Sequence, residues 1–383
     1  MAEPQQRHNK RIYLLLGVLM AAIMLSSPGR SLNINERALV HAMGIDKHGD
    51  SYTVTLQVFK PSGSGADTSV DVSQPNVQTV VCKGRTVSQA IDDGRAQLGR
   101  EPFLGHLQLI CLGRETDLSH PEELFEFATG GGVDLGTELC ISNTTAEDIM
   151  STRLSYAETS AEAIGLIIKL GEEYSRTVSC RLIDILSLGD GGSAAIPMLT
   201  ARETDGKGGQ ESQGSQSSPE AESTVKLTST AIMTDGSICR DELTEEEALA
   251  VDMLTGRAKK AAIVITLEGS PVSVELENIS THRSLKLENG RLIYHAKIRA
   301  DIRTDPADKE SRQRLIKNTA EEKLASICKS AEEKALRKNG ADIFGLCRLI
   351  KHSQPKTALA HEGSLDALYP CTDFDTAFQL RPG

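Results

Sequence analysis

Two glycine-rich stretches are the first places where this sequence could do phosphate or acyl chemistry. Thr129 to Gly136 reads TGGGVDLG. No Lys-Ser or Lys-Thr follows it, so it is no P-loop, and its spacing fails GxGxxG. It reads as a turn. Gly189 to Ser193 reads GDGGS and lacks the serine between glycines after a strand that makes a nucleophile elbow. It reads as a loop. His41, His48, His106, His282, His295, His352 and His361 are scattered without HxxxH or HxH, so local spacing supplies no metal pair. His106 opens an apolar run and reads as a satisfied structural histidine. The two nearest of the eight cysteines, Cys328 and Cys347, are 19 positions apart, which rules out CxxC motifs. Most lie in apolar runs such as LQLICL and TELCI and read as buried free thiols acting as small apolar side chains. Acids cluster in EEYS and TEEEA, the second in a helix first turn, where acids favour the macrodipole. No catalytic residue, cofactor or metal site is expected from these patterns. An enzyme would need distant Asp, Glu or His side chains gathered in one cleft with shifted pKa values.

The elements around these residues are those of a soluble α+β protein with an exported N-terminus. The chain has 383 residues and a net charge of −11, which argues against a nucleic-acid surface and fits two or three domains. Aromatic residues are 3% and Trp is absent, so cores must be built from Leu, Ile, Val and Ala. Arg7, Lys10 and Arg11 precede an uncharged run from Ile12 to Leu25. A basic flank followed by an apolar segment is an export signal that keeps its own N-terminus inside. Two readings compete: cleavage after Ser27-Pro28-Gly29, a poor site, or an uncleaved signal anchor. In the second, the membrane contact is carried by Ile12, Leu14, Leu15, Leu16, Val18, Leu19, Ile23 and Leu25. The run is short for a span, which needs about 20 residues.

Beyond it, strands are expected at Leu39 to Ile45, Tyr52 to Val58, Val77 to Lys83, Leu107 to Leu112 and Glu138 to Ser142. Thr86 and Gln89 form a capping box for a helix carrying Val87, Ala90, Ile91, Gly94 and Leu98. Further helices are expected at Pro121 to Ala128, Thr159 to Leu170 and Arg181 to Leu186. Residues 201–224 contain no large apolar side chain and read as a flexible linker or loop, the clearest boundary in the chain. After it come a strand at Val225 to Met233, a turn at Asp235-Gly236, and a helix capped by Thr244 and Glu247. Strands follow at Ala261 to Leu267, Val272 to Ser280 and Leu292 to Ile302, with a turn at Asn289-Gly290. The strongest element is a helix of about 33 residues, opened by Asp305 and Pro306 and closed by Asn339-Gly340. Ile316, Ala320, Leu324, Ile327, Ala331 and Ala335 give it one narrow apolar stripe, which predicts packing on its own sheet. The organisation expected is 1–30 signal peptide or anchor, 31–200 first domain, 201–224 linker, 225–258 small middle domain and 259–383 last domain.

Several of these segments, in this order, resemble the Ger(x)C spore germination proteins. Gly44-Ile45-Asp46, Gly49-Asp50 and Lys60-Pro61 fill the places of that family's opening strands. Gly105-His106-Leu107 and Gly113 match its helix-then-strand block, and Ala194 to Leu199 (AAIPML) resembles the close of its first domain. Gly340 to Leu346 (GADIFGL) matches its signature after the long helix, and Leu368 to Pro370 the approach to its last strand. The resemblance implies a three-domain α+β ectodomain and a non-enzymatic subunit of a nutrient germinant receptor. It further implies two polytopic membrane partners and a place on the outer face of the spore inner membrane. A solitary extracytoplasmic binding module is the alternative. Two departures stand out. The stretch after the apolar run, SSPGRSLNINER, has no lipobox Cys, so no lipidation is expected and the anchor reading gains weight. The chain also lacks the family's basic tail.

Overall fold

The structure is a computed structural model that describes residues 36–59, 77–130, 132–152, 159–188, 192–203, 223–288, 291–303, 310–360 and 371–382. Among these, thirteen strands form two mixed sheets, and helices cover both faces of the first and one face of the second.

The first sheet is built from β1 (Arg37–His48), β2 (Ser51–Phe59), β3 (Val77–Gly84), β4 (Glu101–Phe103), β5 (Leu109–Leu112), β6 (Glu138–Ser142), β7 (Ser193–Glu203), β8 (Ser223–Thr234) and β9 (Ser237–Leu243). Their order is β3-β2-β1-β5-β6-β7-β8-β9, with β4 paired to β1. The centre, β1-β5-β6-β7, is parallel, and both flanks are antiparallel. Parallel central strands are covered on both faces, which explains why LICL has no polar alternation. Ile110 and Leu112 point into one core and Leu109 and Cys111 into the other. The first core is closed by α1 (Val87–Leu98), α2 (Pro121–Leu124), α3 (Glu126–Gly130) and α6 (Leu182–Leu186), the second by α4 (Ala146–Ser151) and α5 (Ser160–Glu173). The helix expected over Pro121 to Ala128 is thus two short ones.

The low-apolar stretch 201–224 gives its ends to strands. Arg202 pairs with Thr224 and Glu203 with Ser223, so the residues between connect neighbours in one sheet. Residues 225–258 have no sheet of their own: β8 and β9 extend the first. The helix that follows, α7 (Glu245–Thr255), places Leu249, Val251, Met253 and Leu254 in the core of the second sheet.

That second sheet runs β10 (Ala261–Leu267), β11 (Ser270–Glu288), β12 (Arg291–Arg303), β13 (Asp373–Pro382). Its strands alternate buried and exposed positions, as β10 shows from Ala261 to Leu267, so one face is packed and the other wet. Across the packed face lies α8 (Glu310–Glu332), which buries Ile316, Ala320, Leu324, Ile327 and Ala331, the stripe read from the sequence. The coil continues as a π-helical turn, Glu333–Lys338, and stops where Gly340 adopts φ 63° and donates to the Leu336 carbonyl at 3.0 Å. The expected opening at Asp305-Pro306 and the turn at Asn289-Gly290 lie outside the described residues. Glu247 ties α7 to α8 and to the π-helical turn after it: it accepts from Ser330 Oγ at 2.7 Å and from Lys334 Nζ at 2.5 Å. After the long helix come α9 (Leu346–Ser353) and α10 (Pro355–Ala360).

Candidate functional site

A cleft of about 360 Å³ opens where α5, the loop after it and the C-terminal end of α7 meet. It is lined by Lys169, Glu172, Glu173, Ser179, Asp252 and Arg257. Thr159 starts α5, accepting from the Glu162 amide at 3.0 Å, and the helix buries Ala161, Ala163, Ile164 and Ile168. That leaves Lys169 and Glu173 outward, with Glu172 half-buried. The α7 end is folded by its own backbone. Gly256 is left-handed, and the amides of Arg257 and Ala258 both return to the Asp252 carbonyl, at 2.8 and 3.1 Å. This turn lays the Arg257 guanidinium against the Asp252 carboxylate, Nε to Oδ1 at 3.1 Å. Asp252 is only 4% exposed.

Burial dominates the electrostatics here. It pushes the Asp252 carboxyl up to about 7, against the pull of Arg257 and with help from Glu172. Glu172 is raised by burial too, and Ser179, Arg181 and Arg257 draw it back. Glu138 on β6 is raised by burial and by Glu172, with Arg181 Nη2 at 3.4 Å offsetting it. Glu138 Oε2 and Glu172 Oε1 are sealed from solvent without a hydrogen-bond partner among the described residues. The gathering of distant carboxyls with shifted pKa values that an enzyme would need is therefore partly present. Asp252, at about 7, can hold a proton at neutral pH. The cleft lining contains no His or Cys, and among the described residues no group of three or more His, Cys, Asp or Glu is arranged to hold a metal ion.

Asp252 gives a pH test. A carboxyl whose pKa is higher folded than unfolded holds its proton more tightly in the folded state. Its contribution to stability is complete below about pH 4 and is lost as pH rises through about 7. Urea unfolding of Asp252→Asn at pH 5 and pH 8 should show a smaller difference between the two pH values than the parent chain. An unchanged difference would assign the titration to another group.

Of the residues singled out in the sequence, only Glu172 and Glu173, the acids of EEYS, reach this cleft. The anchor residues Ile12 to Leu25 lie outside the described residues, as does the loop 189–191. His106 is a correction: it is exposed, at the end of a 3-10 turn (Leu104–His106), with its ring edge-on to Phe103 at 5.6 Å, and the strand starts only at Leu109. The stretch from Thr129 contains the end of α3 and an Asx turn, with the Gly136 amide donating to Asp134 Oδ1 at 2.8 Å. All eight cysteines are free; five are buried, Cys239 and Cys347 are half-buried, and Cys371 is exposed. Burial raises Cys82 to about 11 and Cys328 to about 12, which disfavours their reactive thiolates.

The motif positions carry architecture. Asp46, 3% exposed, reaches under the start of α4 and accepts from the amides of Ala146 and Glu147 at 2.7 and 3.0 Å. The Gly113 amide and the Thr116 hydroxyl donate to the Ile45 carbonyl at 2.8 and 3.1 Å. In GADIFGL, the Asp342 carboxylate accepts from the amides of Leu346 and Cys347, both at 2.8 Å, and so caps α9. Ile343 and Phe344 enter the core of the second sheet.

Residues 30–201 match the profile of the spore germination protein N-terminal domain. Residues 228–378 match that of the spore germination B3/GerAC-like C-terminal domain. The chain belongs to the Ger(x)C family of spore germination proteins. Its fold is similar to that seen in a crystal structure of the GerBC protein, with a TM-score of 0.56 at 17% identity. The likeness covers 88% of this chain and 96% of that one. No curated protein sequence matches it significantly. The Ger(x)C proteins are C subunits of germinant receptors; of the motif positions, Asp46, Gly113 and Asp342 to Phe344 are those just described as caps, a backbone contact and core. Among the described residues, no helix is long and apolar enough to cross a membrane.

Proposed function

We propose that this chain is a non-enzymatic, membrane-anchored subunit of a spore nutrient germinant receptor. It acts by protein contact on the outer face of the spore inner membrane, with two polytopic subunits as partners. The observation that carries the reading is the collinear match of both family domains, at 30–201 and 228–378, behind a basic and then apolar N-terminus. The missing lipobox Cys removes the thiol on which a diacylglyceryl group would be built, so the run from Ile12 to Leu25 takes over as the anchor. The functional units within it are 31–200, 225–258 and 259–383, the middle one lending its strands to the first sheet and its helix to the second core.

The test is co-purification from spore membranes through a C-terminal tag, with mass spectrometry of the bait and its companions. The expected result is an intact N-terminus accompanied by two polytopic proteins. A trimmed, unaccompanied soluble chain would overturn the anchor and favour a solitary extracytoplasmic binding module.

A further inference from the structure

We propose that β10, at one end of the second sheet, is the contact through which two copies of this chain pair, antiparallel and about a two-fold axis at Val264. β10 bonds to β11 on one side; on the other, no strand and no further backbone hydrogen bond among the described residues meets it. A bare edge is a row of unused amides and carbonyls that invites another strand, and proteins commonly blunt it with charge, Pro or a bulge. The other sheet ends are blunted by charge. β3 carries Lys83, β9 carries Arg240 and Asp241, and β13 carries Asp373 and Arg381. β10 reads AAIVITL, with no charge, no Pro and no Gly. It registers with β11 residue for residue from Ala261 to Leu267, so no bulge bends it away. On its wet face stand Ala262, Val264 and Thr266, and Val264 is 55% exposed.

The flanks of the strand identify its occupant as a second copy. Lys260 precedes β10 and Glu268 follows it, both exposed and each four positions from Val264. Glu268 opens the tight turn to β11, at φ 50°, and makes no ion pair or hydrogen bond among the described residues. Lys260 meets Glu173 at 3.4 Å, with both side chains about half exposed. In an antiparallel pair centred on Val264, that residue faces its own copy and Ala262 faces Thr266 of the second copy. Lys260 of each copy then comes opposite Glu268 of the other, and opposite charges facing each other across neighbouring strands favour the pair. A slip by one residue sets the wet face of one copy against the packed face of the other. A slip by two parts both Lys–Glu pairs. The edge is thus complementary to itself in size and in charge, as a two-fold contact requires. Pairing joins two sheets of four strands into one of eight. One strand edge is a narrow contact, so the association is expected to be weak and reversible. The inference rests on this strand and its flanks, and it goes beyond the receptor reading above without depending on it.

The full chain in detergent is tested by cysteine cross-linking in a Cys371→Ser background, which removes the exposed native thiol. Under mild oxidation Val264→Cys should form a covalent dimer. Ala262→Cys alone should not, but a mixture of Ala262→Cys and Thr266→Cys chains should. Sedimentation of the unaltered chain should show a dimer in equilibrium with monomer, and Val264→Lys, which sets like charges face to face, should weaken it at least tenfold. Lys260→Glu should weaken it too, and adding Glu268→Lys should restore it. Val264, Lys260 and Glu268 are exposed, so these variants should fold, which far-UV circular dichroism and thermal melts would check. Three results would overturn the proposal: a monomer at about 0.1 mM, a dimer that Val264→Lys leaves intact, or Ala262→Cys cross-linking to itself as well as Val264→Cys does. Oxidation in native membranes that joins Val264→Cys to a different protein, and not to itself, would give the edge to another chain and overturn it as well.

Discussion

Truncating Asp46 to alanine is expected to cost the folded state about 3 kcal/mol, for the loss of two charge-assisted hydrogen bonds at a helix start. The carboxylate accepts from the amides of Ala146 and Glu147, and alanine would leave the first buried and the second half-buried at the head of α4, both without that acceptor. The same carboxylate explains Gly113. A Cβ there would sit 2.0 Å from Asp46 Oδ1, an atom that cannot swing away without giving up its bond to Ala146. Gly113→Ala should therefore destabilise by a comparable amount. The informative variant is the double. With alanine at position 46 the space is free, so the two losses should sum to well above the loss in the double variant. Urea unfolding of the three variants, followed by far-UV circular dichroism, decides it; simple additivity would mean that Gly113 is small for another reason.

Phe344→Ala is expected to be costlier, about 3–5 kcal/mol for an aromatic ring removed from a closed core. Phe344 is 1% exposed. Its ring stands edge-on to Phe374 at 5.2 Å, and Phe374 packs on Tyr294 at 4.8 Å. The hydroxyl of Tyr294 in turn donates to the Leu254 carbonyl in α7. The trio thus joins the loop after the long helix, the last strand and the middle helix. In a protein with 3% aromatic residues, three of them at one junction make that junction hard to replace. Phe344→Leu fills most of the space and should lose less than half as much. Thermal melts of both variants would show it; equal losses would shift the cause from the ring to the backbone of the loop.

Much of this fold was legible because local chemistry and burial agree. Glu138 to Ser142 and Ala261 to Leu267 were bounded correctly, and Thr244 with Glu247 forms the capping box their spacing implies. Thr86 also caps its helix, but Gln89 Oε1 accepts from the Arg85 amide, one residue earlier than a capping box requires. What escaped was short or half-wet. β9, SICRDEL, lies at the sheet edge with most positions only partly covered, so its charges hide the strand period. α4, six residues long, owes its start to Thr145 and to an aspartate a hundred positions away. The cleft was illegible for the same reason. Glu172 read as part of an acidic run and Asp252 as an acid on a helix, and only the fold sets them side by side. The motifs did point to the family, yet their physical content is structural: Asp46 and Asp342 hold helix ends, while Gly113 yields room.

The junction between the sheets has a mechanical consequence. β9 ends at Leu243, Thr244 is already the cap of α7, and Glu247 is clamped by Lys334 and Ser330 of the long helix and its π-helical end. No slack residue separates a strand of one sheet from a helix embedded in the other's core. A push on either sheet is delivered to its neighbour as displacement of a stiff strut, with no joint to absorb it. A chain built in this way transmits strain between its two ends rather than hinging, and any signal it carries has to arrive as movement of the whole.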